Sequence, residues 1–268
     1  MTKAFHIDTE TVGSLPDFLS RVEERCTGCR NVLFRGHSVE SWKLEPKLAR
    51  IPIRPPFDVP DAEAKMFLEF KRRASSFAPK ELSTDWDWLA LAQHHGLPTR
   101  LLDWTTNALV ALWFALERPP VKDQDGAVWI FFGEPSDYAD DREIQNPFAI
   151  QKTLIYRPRH SASRISAQSG WFTAHRLMPS KNTFMPLEQI KVYKDRLIKL
   201  VIPGKSFGVL REDLNRCGIN SASIFADLDG LSRQVAWEFS PPLDEEEFLQ
   251  EMARDLNEPG PRGRLTKF

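Results

Sequence analysis

Gln93, His94, His95, Arg100, Asp103 and Trp104 fall in one short run, Leu91-Ala-Gln93-His94-His95-Gly96-Leu97-Pro98-Thr99-Arg100-Leu101-Leu102-Asp103-Trp104-Thr105. A turn punctuated by Gly96 and Pro98 is stiff enough to hold such groups at fixed geometry, which any site requires. Within it, His94 has the chemistry of a general acid or base and Arg100 that of a phosphate clamp, and Asp103 supplies a carboxylate. Gln93 adds an amide and Thr105 a hydroxyl. A plainer reading uses the same residues: Arg100 pairs with Asp103, and Trp104 fills the core.

A second candidate is Leu33-Phe34-Arg35-Gly36-His37-Ser38, followed by Ser41-Trp42-Lys43-Leu44-Glu45-Pro46. Here an apolar strand releases Arg35 beside a glycine. The guanidinium can point into a cleft, and the missing Gly36 side chain leaves room for a ligand against the backbone, with His37 next to it. The competing role is burial of Arg35 against an acid such as Asp103.

Weaker signals are the basic clusters Lys71-Arg72-Arg73 and Arg157-Pro-Arg159-His160 with Arg164, which read as solvated surface before they read as nucleic-acid contacts. Asp227 and Asp229 suggest a metal loop, yet Asp at a helix start is favoured for capping alone. Cys26-Thr-Gly-Cys29 is half a zinc site with no second half, so the reading is a helix-ending turn and no metal is expected. No Gly-x-x-x-x-Gly-Lys-Ser/Thr occurs, which excludes a P-loop.

The elements that must position these groups follow from hydrophobic period. Leu15, Phe18, Leu19 and Val22 predict a helix over Leu15–Glu24, and Asn31 to Gly36 a buried strand. A helix opens at Pro60 and runs through Phe67, Phe70 and Phe77. Another covers Asp85 to His95, and Thr105 or Thr106 caps a third over Asn107–Glu117. Strand-like runs then dominate at Gly126–Phe132, Lys152–Tyr156, Ile165–Ala174 and Arg196–Ile202. Helical stretches follow from Gly204 to Arg216 and from Ile224 to Trp237. The expectation is one α+β domain, helices mainly early, packed on a mixed or antiparallel sheet formed mostly by the C-terminal half.

Bulk composition agrees with a packed core: the 268 residues are 41% hydrophobic and include eight Trp and 18 Phe. A net charge of −1 supplies no global field for nucleic acid or anionic lipid, so any phosphate must meet a local cluster. There is no secretory signal and no apolar run long enough to span a membrane, so the expected location is the cytoplasm, without membrane partners.

The pattern Phe-Arg-Gly-His-Ser with Trp-x-Leu-x-Pro, followed by Ala-Gln-His-x-Gly-Leu-Pro-Thr-Arg-Leu-Leu-Asp-Trp-Thr, resembles the FRG family. Arg164-Ile-Ser-Ala-Gln168-Ser-Gly170-Trp-Phe172 and Gly218-Ile-Asn with Ile224-Phe-Ala-Asp227-Leu-Asp229-Gly230 fit it too, so the resemblance covers Val32 to Leu231. It divides the chain into a helical lead-in (1–30), the FRG domain (31–240) and a peripheral helix and tail (241–268). Such proteins are bacterial and phage-encoded, some linked to phage defence, and the family supplies no agreed catalytic residues.

A more distant likeness is to the ADP-ribosyltransferase fold. It implies that Arg35 binds the diphosphate of NAD as substrate, that Thr105 or Thr106 supports the nicotinamide side, and that a protein or nucleic acid accepts ADP-ribose. Where such enzymes carry Gln-x-Glu on a late strand, this chain has Gln168-Ser169-Gly170. The Glu is missing, and Asp103 can substitute only if the fold turns it toward the pocket. Two other classes stay open: a nuclease using His94 with Arg35 and Arg100 as clamps, and a non-catalytic sensor of a nucleotide or a protein.

Overall fold

The apolar runs pair edge to edge into one sheet. In the computed structural model, which describes residues 7–79, 82–120, 124–141, 143–158 and 170–240, seven strands lie in the order β1 (Asp8–Thr11), β9 (Leu197–Ile202), β4 (Gly126–Phe132), β2 (Val32–His37), β3 (Leu101–Thr105), β6 (Gly170–Ala174) and β5 (Leu154–Tyr156). β1 runs parallel to β9, and the other neighbours are antiparallel. A short hairpin, β7 (Leu177–Met178) and β8 (Thr183–Phe184), stands apart. The described helices are α1 (Leu15–Cys26), α2 (Val59–Ala74), α3 (Asp85–His94), α4 (Ala108–Leu116), α5 (Lys191–Lys194), α6 (Phe207–Arg216), α7 (Ser221–Phe225) and α8 (Leu228–Phe239). The chain is a single α+β domain.

Alternation along β2 decides what each face of the sheet becomes. Phe34, with Val128, Ile130, Leu200 and Ile202, packs beneath α1, α4 and α6 through Phe18, Ala111, Leu112 and Phe207. Leu33, with Trp129, Phe131, Leu102 and Trp104, packs the opposite side against Leu44, Leu187 and Tyr193. A third cluster, Phe67, Trp86, Leu89, Tyr156 and Phe172, seats α2 and α3 on the β5–β6 edge. By the same alternation Arg35 and His37 share the face of Leu33, and Gly36 shares that of Phe34.

Gly36 therefore faces α4. A Cβ there would overlap the Ala111 carbonyl oxygen and stand 2.5 Å from the Ala115 amide nitrogen. The glycine serves close helix–strand approach on this face.

Other elements differ from expectation for local reasons. The polar run is only partly a turn: Leu101, Leu102, Trp104 and Thr105 are buried, and Leu101–Thr105 is a strand inside the sheet. Its apolar residues run nearly continuously, as in a strand covered on both sides, and Gly96 and Pro98 obscured that signal. Asn107 caps α4, accepting from the amides of Leu109 (2.9 Å) and Val110 (3.3 Å), while Thr105 Oγ1 accepts from the Asn107 amide at 3.0 Å. The stretch from Ile224 to Trp237 divides at Ala226, whose φ of 48° breaks it into α7 and α8. Asp227 then caps α8 by accepting from the Gly230 amide at 2.7 Å. Cys26 closes α1 ahead of Gly28 (φ 76°), and burial pushes its thiol up to about 11.

The basic residues Arg159, His160 and Arg164, the glutamine Gln168, and the segment 241–268 lie outside the described residues. Among the described helices, none is long and apolar enough to cross a membrane.

Candidate functional site: a cleft where two strands part

β2 and β3 share a single register pair, Phe34 with Thr105. Past it the ladder is not continued, and Arg35 takes up one of the groups left over: its Nη1 donates to the Asp103 carbonyl at 2.6 Å. The opening between the two strands is the floor of a cleft of about 880 Å³. Arg35, Gly36, His37, Gln93, His94, Asp103 and Thr105 all line it.

The polar groups on this floor form a directed chain. Asp103 Oδ2 can only accept, so the amide nitrogen of Gln93 faces it, and Gln93 Oε1 is left to accept from Thr99 Oγ1 (2.7 Å), which itself accepts from the Leu101 amide (3.0 Å). That settles the amide orientation of Gln93, whose Nε2 donates to Asp103 Oδ2 at 2.9 Å. Asp103 Oδ2 also stands 3.8 Å from Arg35 Nη1, and its side chain is 58% exposed. The carboxylate is thus pinned through one oxygen and open to the cleft.

Arg35 is 18% exposed. Burial draws its guanidinium down to about 10, opposed by Asp103 and aided by the like charge of Arg50. It stays cationic near neutrality and is largely buried, which strengthens any anion contact. Its Nε donates to His37 Nε2 at 3.0 Å. Burial first, then Arg35 and Arg50, hold His37 well below the usual imidazole range, so the ring is neutral and its Nε2 free to accept. His94, half-buried in the last turn of α3, reaches the same cleft and stands edge-on to His95 with ring centroids 5.0 Å apart.

Arg100 does not join them. Its Nε and Nη2 grip both oxygens of Glu63 on α2 (2.9 and 2.5 Å), Nη1 meets the carbonyls of Pro147 and Phe148, and both partners are 3% exposed. A bidentate pair whose Nη1 is also occupied by two carbonyls fastens α2 to the start of β3, so the expected phosphate clamp is a fastener instead. The anticipated pairing of Arg100 with Asp103 is replaced by Glu63 for Arg100 and by Gln93 and Arg35 for Asp103.

Trp42, Trp171 and Arg50 also line the cleft; the first two lie in the motifs quoted above but had no role assigned, and Arg50 lies outside them. Trp42 offered a signal: an indole in a polar stretch just after the Arg35 strand. Trp171 offered only its place in a family-like run and Arg50 offered none, because strand register and loop path bring them in.

Beneath the cleft lies a second directed chain. Trp104 Nε1, a donor only, gives to Thr173 Oγ1 (3.0 Å); Thr173 then gives to His175 Nε2 (3.1 Å), and Nδ1–H of His175 gives to the Met185 carbonyl (3.3 Å). Burial lowers His175 to about 4. Between roughly pH 6.5, the ordinary unfolded value, and pH 4 the unfolded chain therefore binds more protons than the folded one, and stability falls as pH falls. The expected loss by pH 4 is on the order of 3 kcal/mol from this residue. Denaturant midpoints between pH 6.5 and 4.5 should fall less steeply for His175→Asn than for wild type; parallel slopes would refute the assignment.

No curated protein and no solved structure matches the chain. The family model of the FRG domain matches residues 30–124, the stretch that supplies β2, α3, β3 and α4 and every cleft residue discussed above except Trp171, and this match supports placing that segment in the FRG family.

Proposed function

We propose that the cleft binds an NAD-type dinucleotide and that the chain is an ADP-ribosyltransferase-like transferase or NAD hydrolase. The observation that carries this reading is the pairing of a largely buried guanidinium, Arg35, with an open carboxylate, Asp103, in one cleft. Arg35 holds the diphosphate, and Asp103 fills the place of the Glu absent beside Gln168. The bond that breaks joins C1′ of the nicotinamide ribose to the ring nitrogen. Its electron pair leaves with nicotinamide, and water or a nucleophile of a macromolecular target takes C1′ and gives up a proton. A carboxylate beside the ribose stabilises the oxocarbenium-like transition state. The resemblance of the segment to FRG proteins makes a bacterial phage-defence effector the fitting biological role.

Calorimetric titration with NAD and chromatographic assay of nicotinamide test this directly. Wild type should bind NAD and release nicotinamide. Arg35→Ala should weaken binding by roughly 10- to 100-fold, the worth of a charge-assisted hydrogen bond. Asp103→Asn should keep binding and lose about 100-fold or more in release. Absence of both binding and release in wild type would overturn the proposal.

His94 in the same cleft as Arg35 supports a second reading, phosphodiester cleavage with His94 as general acid or base. His94→Ala separates the two: nicotinamide release survives it, and nuclease activity on RNA or DNA does not. Binding without any turnover would assign the cleft to a sensor.

A further inference from the structure

Trp42 is an indole left 42% exposed on the wall of the cleft. Large aromatic side chains are usually covered in the folded state, and one held open beside a cationic floor has a ligand face available. It is also braced. His37 meets it edge-on, with ring centroids 6.0 Å apart, and the His37 ring is itself buried. The Trp42 amide donates to the Val39 carbonyl at 3.1 Å, and the Glu40 amide donates to the Asp125 carbonyl at 2.7 Å, so the turn carrying the indole is tied back to the protein.

His37 links this platform to the anion site, because its other nitrogen accepts from Arg35. One neutral imidazole thus separates a cation from an exposed π-face. Arg50 lines the same cleft and is exposed. Two cations and a flat aromatic surface in one cleft match the diphosphate and base of one nucleotide half.

We infer that Trp42 is the base-stacking platform of the cleft, that the recognised unit is a nucleoside diphosphate seated with its base on Trp42 and its diphosphate on Arg35, and that His37 is a positioning residue holding the two in register. This rests on the reading of the cleft as a nucleotide site, but not on NAD cleavage.

The test uses the full chain, ADP, and inorganic pyrophosphate as the baseless probe, with affinities from calorimetry. Trp42→Ala should weaken ADP by roughly 5- to 150-fold, the range one stacked base supplies, and Trp42→Phe, which keeps an aromatic face, should weaken it less. Both should leave pyrophosphate affinity unchanged, whereas Arg35→Ala should weaken both probes. Because Trp42 is half exposed, its replacement should leave the melting temperature near that of wild type. ADP affinity indifferent to Trp42→Ala, or pyrophosphate affinity falling in parallel with it, would overturn the assignment. Wild type binding neither probe would overturn it together with the nucleotide reading. ADP binding that depends on Trp42 in a protein that does not cleave NAD would sustain it and defeat only the proposed reaction.

Discussion

Gly36→Ala is expected to cost about 3 kcal/mol or more of folding stability, at the upper end of what overpacking does, and to yield little soluble protein. The added methyl would run into the Ala111 carbonyl and the Ala115 amide, both main-chain atoms of α4. A flexible side chain could swing aside, but a helix backbone cannot without lifting α4 from the sheet. α4 is itself seated by Ala111, Leu112, Ala115 and Leu116, all fully buried. Shifting it would open the largest cluster under the sheet. Because the obstruction is backbone, trimming the opposite side chain in the double variant Gly36→Ala/Ala111→Gly should give no rescue. Chemical denaturation of the single variant with a midpoint equal to wild type would show that the helix does not lie this close.

Glu63→Ala is expected to cost roughly 3 to 5 kcal/mol, because it strands the Arg100 guanidinium in the protein interior. Arg100 would keep the Pro147 and Phe148 carbonyls and its position over the Phe148 ring, 5.0 Å from the centroid, but lose its counter-charge. The double variant Glu63→Leu/Arg100→Met removes both charges and should recover most of the loss, since it is the orphaned ion that is costly. Equilibrium unfolding in guanidinium chloride reads both. A double variant as unstable as Glu63→Ala would mean that the geometry of the pair, rather than its charge balance, holds α2 to β3. Arg100→Lys, which keeps the charge but not the fork, should lower stability while leaving nucleotide affinity unchanged, in contrast to Arg35→Ala.

Local sequence determined a good deal of this protein. The helices α1 to α4 and the strands β2, β4, β5 and β9 follow from apolar period and from stops such as Gly96, which adopts φ 84° at the end of α3. Interactions between near neighbours govern these features, so they survive without knowledge of the fold. The gathering of Arg35, Gln93, His94 and Asp103 was legible for a related reason: polar groups packed between apolar elements can be accommodated only where elements end or part.

Tertiary structure decided the roles. Arg35 and Arg100 look alike in sequence, each beside an apolar strand, yet one faces the cleft and the other is locked to Glu63, 37 residues away in the chain. Gly36 turned out to receive a helix because side chains alternate across β2, and its partner face could be known only once α4 was seated. Trp42 and Arg50 joined the site, and β3 proved to be a strand that leaves its neighbour after one register pair. Sequence by itself therefore determined which residue types were available for an anion and a base. Which of them meet in one cleft was decided by strand register, strand divergence and long-range pairing, all of which depend on residues far apart in the chain.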